Sequence, residues 1–508
     1  MPDPSPHPLR ALLVICSLSL CVLADLDQAR AAGPSWLAEL SDPTAHEVKA
    51  DSIEVRTPAQ TFVTVGVYET SSLDVQAPPS IGADVYLIRH VRRTVFKLGY
   101  GFSKARQVGY RGVPYRTRDE LAGDEWTGPM PWFLSPPDMH DRSTEDPQTS
   151  WGVRLKCGKA GTYEVPIACE QNTVTVTLHV GEPVPQSDCG FGFYFEQSLH
   201  RYPQNLHMQM EQLRDYGCNT VALQIPAKTA EEQYVVTAQT LDHGVAIGLF
   251  DKDVPVILMA GIEGARRHGR RVADWPQLIK YAPDEPPPQF IGYVRNVCVE
   301  ARALGLLTGT AISPASAFLY GDMLDAWIVP VQYQSQLLRV KARRDGARWW
   351  TYTTGLRGSN APLNRYHSGV WTWKTRQRGN LAWVYMDHSN LAVHEDGSWQ
   401  LRFVDGEMFM WSRALASPKG PIATVGLAGF RDGTVDYRIL RELDRAIERN
   451  PGHEKVGDIV YWMQNLRDRM PSRLDTGGSF DVSDTMMPPV DCVAVRRQAL
   501  DFISELTE

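Results

Sequence analysis

Two acids stand side by side at Asp284 and Glu285, in the run Tyr281-Ala282-Pro283-Asp284-Glu285-Pro286-Pro287-Pro288. Each proline fixes its own φ and narrows the choices of the residue before it, so the pair sits on a stiff turn. A stiff turn with two carboxylates in different surroundings suits cleavage of a glycosidic bond. One group protonates the leaving oxygen and the other balances positive charge at the anomeric carbon. Turns also favour these residue types for backbone reasons alone, and on the dipeptide alone the bland reading, a solvated turn, outweighs the catalytic one. The element that presents the pair decides between the two.

The residues before it, 277–281, read as a strand. Neighbours on one strand point to opposite faces, so both acids reach one site only from beyond the strand end. Adjacent acids fit poorly with the two common schemes, which set the carboxylates across the bond at about 5 Å or about 6.5–9.5 Å. They fit a third scheme, in which the 2-acetamido carbonyl of the substrate attacks the anomeric carbon. One carboxylate then orients the amide and stabilises the oxazolinium, while the other protonates the leaving oxygen and later deprotonates the attacking water.

The surrounding chain reads as two architectures. Over residues 50–182, short runs of alternating polarity broken by Gly and Pro mark an all-β sandwich domain, with strands such as 62–67, 83–88, 151–155 and 174–180. Residues 119–148 read as a long surface loop. A polar, proline-bearing linker at 182–188 follows. From 189 to 450 the rhythm becomes strand, helix, strand, helix. Strands are expected at 190–195, 220–225, 254–260, 277–281, 306–311, 326–329, 348–353 and 381–386. Helices are expected at 204–216, 240–250, 262–270, 290–304, 334–344, 364–375 and 434–449. Eight alternations make an α/β fold, a (β/α)8 TIM-like barrel preceded by the sandwich and followed by C-terminal helices over 451–508. Barrel active sites lie at the carboxyl ends of the strands, so acids after the fourth strand belong at the mouth.

The first 32 residues carry a cationic start, an apolar run over 11–24 and the small-residue site Ala29-Arg30-Ala31, the pattern of a cleaved signal peptide. A secreted or periplasmic location follows, and no later stretch is long enough to span a membrane. Export implies an oxidising compartment, where Cys157 and Cys169 flank a short turn and are placed to bridge a hairpin. Cys189, Cys218, Cys298 and Cys492 read as buried thiols. The net charge of −7 argues against nucleic-acid or anionic-membrane partners. No CxxC pair and no HExxH is present, so no metal or cofactor is expected.

In order along the chain come Phe191-Gly192-Phe193-Tyr194, His200-Arg201-Tyr202, Asp215-Tyr216-Gly217-Cys218-Asn219-Thr220-Val221, Asp284-Glu285-Pro286, Trp349-Trp350-Thr351-Tyr352, Trp383 with Tyr385, and Arg431-Asp432-Gly433-Thr434-Val435-Asp436-Tyr437. With these motifs the chain resembles glycoside hydrolase family 123, over nearly the whole mature length. The resemblance implies an exo-acting, retaining β-N-acetylgalactosaminidase that works by substrate assistance on a glycan or glycoconjugate. It makes Asp284 the oxazolinium stabiliser and Glu285 the acid/base. Glu285 must then hold a proton at working pH, which calls for burial or the nearby charge of Asp284. Tyr352, Trp383 and Tyr385 would line the pocket, and Tyr194 and Arg201 would meet substrate hydroxyls. Arg431, Asp432 and Asp436 read as helix-start capping and ion pairing, and His388 and the 394–397 turn as surface features. Two other readings stand beside this one: a carbohydrate-binding barrel without catalysis, and a glycosidase for a sugar that lacks the acetamido group.

Overall fold

The structure, a computed structural model, describes residues 34–42, 49–92, 129–135, 150–195, 203–224, 229–259, 275–353, 356, 360–383, 385–386, 390–393, 398–402, 413–470 and 488–507. The expected signal segment, the 262–270 helix, Arg201, His388 and the 394–397 turn lie outside these residues.

Nine strands make two facing sheets: β1 (Trp36–Glu39), β2 (Ser52–Pro58), β3 (Thr61–Tyr68), β4 (Leu73–Val75), β5 (Ile81–Arg92), β6 (Pro129–Ser135), β7 (Ser150–Cys157), β8 (Gly161–Cys169) and β9 (Thr173–Gly181). One sheet runs β1-β3-β7-β5-β6 and the other β2-β9-β8-β4. In β9 the buried positions are Val174, Val176, Leu178 and Val180, the period-two pattern of a strand with one face on a core. β3 is buried along its whole length. Its Val63, Val65 and Val67 fill the sandwich, while Phe62 and Tyr68 turn to the apolar core shared with the barrel. Two expectations change here. Part of the 119–148 loop, Pro129–Ser135, is a strand hydrogen-bonded to β5. Cys157 and Cys169 are free, as are Cys189, Cys218, Cys298 and Cys492. The chain crosses from one sheet to the other between β7 and β8, so the two thiols do not face each other across a hairpin.

The barrel consists of β10 (Gly190–Phe195), β11 (Ala222–Leu223), β12 (Val256–Leu258), β13 (Leu278–Tyr281), β14 (Leu307–Ala311), β15 (Ala326–Pro330), β16 (Arg348–Thr353) and β17 (Gly379–Ala382). Each strand is parallel to the next, and β17 closes the ring on β10. Ile257, Ile279, Ile328, Trp350 and Leu381 pack inside the ring. Outside lie α1 (Leu206–Asp215), α2 (Ala230–Ala246), α3 (Ile291–Ala303), α4 (Pro314–Tyr320), α5 (Gln336–Arg344), α6 (Ala361–Tyr366) and α7 (Thr372–Thr375), with a π-helical turn joining the last two. Gly217, at φ +82, ends the first helix, as its position in the sequence suggests.

The closing helix departs most from expectation. α8 (Val425–Arg449) starts nine residues before the expected 434, capped by the Thr424 side chain, which accepts from the Leu427 amide. Arg431, Asp432 and Asp436 therefore lie inside a buried helix and cap nothing. The glycines of this helix serve close packing. A Cβ at Gly429 would lie 2.1 Å from the Ala361 carbonyl oxygen, and one at Gly433 would lie 2.3 Å from that of Arg365. Only the bare glycines let α6 cross this closely. The chain ends with α9 (Val456–Arg469) and α10 (Cys492–Thr507).

The ion-pairing half of the expectation holds for Asp432 and Asp436 but not for Arg431, which meets a backbone carbonyl and a hydroxyl instead. Arg365 on α6 donates to Asp436 at 2.8 Å and to Glu39 of β1 at 3.0 Å. Arg496 on α10 donates to Asp436 at 2.5 Å, and Ser41 donates to Asp432 at 2.5 Å. The buried cluster ties sandwich, barrel helix, closing helix and C-terminal helix together.

Candidate active site

β13 ends at Tyr281, and Asp284 and Glu285 lie just past it, at the carboxyl end of the barrel. The turn is held by its neighbours rather than by its prolines alone. The Ala282 amide donates to the Gly309 carbonyl at 2.9 Å. The Thr310 hydroxyl donates to the Pro283 carbonyl at 2.7 Å. On the other side, Ser316 and Tyr320 of α4 donate to the Pro286 carbonyl at 3.3 and 2.5 Å. Between these clamps Glu285 takes φ +38, a left-handed conformation costing a side-chain-bearing residue about 1–2 kcal/mol. Such strain persists where the surroundings over-determine it.

Each acid accepts a hydrogen bond from a different barrel tyrosine. Tyr281 donates to Asp284 at 2.6 Å, and Tyr352 donates to Glu285 at 2.7 Å. The Tyr281 oxygen in turn accepts from the Ala311 amide at 3.1 Å and lies 3.4 Å from the Tyr194 hydroxyl. Burial pushes the Tyr281 and Tyr352 phenols far above their ordinary value, and the neighbouring Tyr194 and carboxylates add to it. Both phenols therefore stay protonated and act as donors over the working pH range. Aromatic rings complete the wall: Tyr194 sits edge-on to Tyr352 at 5.9 Å and tilted against Trp383 at 5.0 Å.

The structure thus brings Asp284, Glu285, Tyr194, Tyr352 and Trp383 together at one mouth. Tyr385 is elsewhere. Its ring stacks on Phe195 at 5.5 Å, its hydroxyl donates to Gln212 of α1 at 2.7 Å, and it is fully buried between barrel and helices. The reason is the strand boundary. β17 ends at Ala382, earlier than expected, so Tyr385 belongs to the following segment, which turns back beside β10. The burial expected for Glu285 is not seen, because both acids are exposed. Sequence reading passed over Tyr281 as a site residue. Its signal was parity: Tyr281 is two residues from the inward Ile279, so it points into the barrel. Thr310 and Tyr320 carry no such signal, since only the packing of β14 and α4 against the turn brings them there. Among the described residues, no group of three or more His, Cys, Asp or Glu could hold a metal ion.

Fold and mouth together define a closed parallel (β/α)8 barrel with a paired-carboxylate turn at the carboxyl ends of its strands, led by a β-sandwich. No family model matches the sequence, and no curated protein matches it. Among solved structures, the chain is similar to a family 123 glycoside hydrolase from Clostridium perfringens, studied for glycolipid glycan hydrolysis. The match has a TM-score of 0.60 at 10% identity and covers 93% of this chain and 99% of that one. The two share their fold from sandwich to barrel. An FMN-binding β-glucuronidase from Facaelibacterium prausnitzii matches at TM-score 0.33 and 9% identity, over 78% of this chain and 61% of that one. β-Glucuronidase 3 of Bacteroides uniformis matches at TM-score 0.30 and 10% identity, over 75% and 49%. Scores this low say nothing further of this chain.

Proposed function

We propose that this protein is a retaining glycoside hydrolase that releases terminal β-linked 2-acetamido sugars by substrate assistance, with N-acetylgalactosamine as the preferred sugar. One observation carries the reading. Two adjacent carboxylates stand on a clamped, strained turn at a barrel mouth, each fixed by its own phenol and each open to a ligand.

In the proposed reaction the acetamido carbonyl oxygen attacks the anomeric carbon as the bond to the leaving oxygen breaks. Glu285 gives its proton to that oxygen. Asp284 accepts the amide N–H and balances the oxazolinium charge. Glu285 then takes a proton from the water that opens the ring, so configuration is retained through two inversions. Tyr281 and Tyr352 each occupy one oxygen of their acid, leaving the other for substrate. The aromatic faces of Trp383 and Tyr194 suit a sugar ring. Both acids are exposed, and the bound sugar itself would exclude water from them. Secretion, read from residues 1–32, fits a glycan or glycoconjugate substrate, and no described helix is long and apolar enough to cross a membrane.

Turnover of aryl β-glycosides of N-acetylgalactosamine and N-acetylglucosamine, with inhibition by an oxazoline-mimicking thiazoline, tests this. Hydrolysis without thiazoline inhibition replaces substrate assistance with ordinary two-carboxylate chemistry. Glycan binding with no hydrolysis by wild type removes the enzyme reading.

A further inference from the structure

On the face of the barrel opposite Asp284 and Glu285, a cleft of about 680 Å³ opens between the sandwich and the amino-terminal ends of the barrel strands. Phe62 and Lys156 line it from the sandwich, Asn219 from the turn before β11, and Arg431 and Arg438 from α8. Its cations are Lys156, Arg214, Arg431 and Arg438, and its acids are Asp215 and Asp251.

The partners of these groups are uneven. Arg214 pairs with Asp215 at 2.6 Å, and Lys156 reaches Asp84 of β5 at 3.0 Å with half its side chain exposed. Arg431 is only 5% exposed. It donates to the Asp215 backbone carbonyl at 3.1 Å and to the Thr434 hydroxyl at 3.5 Å, and lies over the Phe62 ring at 5.1 Å. Arg438 donates to the carbonyls of Pro185 and Val184 at 2.9 and 2.5 Å. Among the described residues neither Arg431 nor Arg438 has a carboxylate within 4.0 Å. Arg365 and Arg496, buried nearby, have two such partners each. Burial, helped by the charge of Arg438, pushes the Arg431 guanidinium down to about 9. The charges of Asp432 and Asp215 act on Arg431 only from beyond ion-pair distance, and a buried cation so weakly compensated is costly; folds retain one where something else supplies the charge. Here the space for that partner is present, and it is of the size of small-molecule sites.

We propose that this cleft binds a small oxyanion, a sulfate, phosphate or carboxylate group, free or carried on a sugar, with Arg431 as the central contact and Arg438 and Lys156 at its edge. Guanidinium groups suit oxyanions because their N–H donors form a planar fork.

The test uses the full chain and reads binding, not turnover, so it succeeds or fails separately from the glycosidase reading. Thermal unfolding and calorimetric titration follow sulfate, phosphate, glucuronate and galactose 6-sulfate at constant ionic strength, with chloride as the balancing salt. The expected result is saturable binding that stabilises wild type, weakened about tenfold or more in Arg431→Gln and a few-fold in Lys156→Gln. Tighter binding of the sulfated sugar than of inorganic sulfate assigns a sugar-borne anion, and equal binding assigns the free ion. If Arg431→Gln does not fold, Lys156→Gln, changed at a half-exposed side chain, and Arg438→Gln decide instead. Absence of saturable binding by wild type, or equal binding by the folded variants, overturns the proposal.

Discussion

At the barrel mouth, Asp284 and Glu285 are neighbours in the chain, open to solvent, and each held by a single phenol. At the domain junction, Glu39, Asp432 and Asp436 come from opposite ends of the chain and are buried. There they meet Arg365 and Arg496 in a cluster with three carboxylates and two guanidiniums. The two sets use the same chemistry for opposite ends. A carboxylate meant for a ligand has to remain accessible, so its neighbours fix its position without neutralising it. A carboxylate meant to hold four elements together is stripped of water, and only close counter-charges offset that loss. The mouth is therefore cheap to alter in stability and costly in chemistry, and the junction is the reverse.

Arg365→Met gives the largest effect that would sharpen this contrast. It leaves Glu39 and Asp436 buried without their main counter-charge, at about 3–5 kcal/mol of unfolding free energy in a urea titration. A loss near zero would mean that the junction charges are not coupled as the distances indicate. Next comes Glu285→Gln, with turnover of the aryl acetamido-glycoside down by about 10²–10⁴-fold and the urea midpoint unchanged. Wild-type turnover here, or in Asp284→Asn, breaks the assignment of the pair. Tyr352→Phe removes one donor to Glu285 and lowers kcat/KM about tenfold while leaving the fold intact. Tyr385→Phe, changed far from the acids, leaves kcat/KM alone and lowers the midpoint. If the two tyrosine variants exchange phenotypes, the placement of Tyr385 outside the mouth is wrong.

The smallest effect concerns pH. Burial is the chief cause that pushes the Glu39 carboxyl up, against the pull of Arg365 and Arg496. A carboxyl raised in the folded state contributes its stability fully below the unfolded value and loses it as pH climbs through the folded one. Unfolding free energy measured at rising pH above the ordinary carboxylate range should thus fall in wild type. Glu39→Gln keeps an acceptor for Arg365 and flattens that fall, by about 1 kcal/mol. A steeper fall in the variant would reverse the sign assigned to Glu39.

The legible parts of this protein were those whose physics is local. Period-two alternation marked strands such as β9, and apolar spacing marked helices such as α3. The acid pair stood out because the prolines around it constrain the backbone within a few residues. Errors fell where a distant segment sets the outcome. The Arg431-Asp432-Gly433 stretch of α8 looked like the approach to a helix start at 434, whereas α6 packs against its glycines and the helix begins at Val425. Tyr385 looked like a mouth residue because one strand was drawn two positions too late at its start and four too long at its end. The Cys157 and Cys169 pairing failed because neighbours in sequence were assigned to one hairpin, whereas the chain changes sheets between them.

By itself, then, the sequence determined the alternation of strands and helices, the order of sandwich and barrel, and the position of two acids beyond a strand end. Each of these follows from side-chain periodicity and backbone restriction over a few residues. Tertiary structure alone decided which phenol meets which carboxylate, which residues clamp the turn, and which arginines are matched by acids and which face an open cleft. Those outcomes depend on closure of the barrel and on the docking of β1, α8 and α10 against it, and contacts between segments so far apart leave no trace in local spacing.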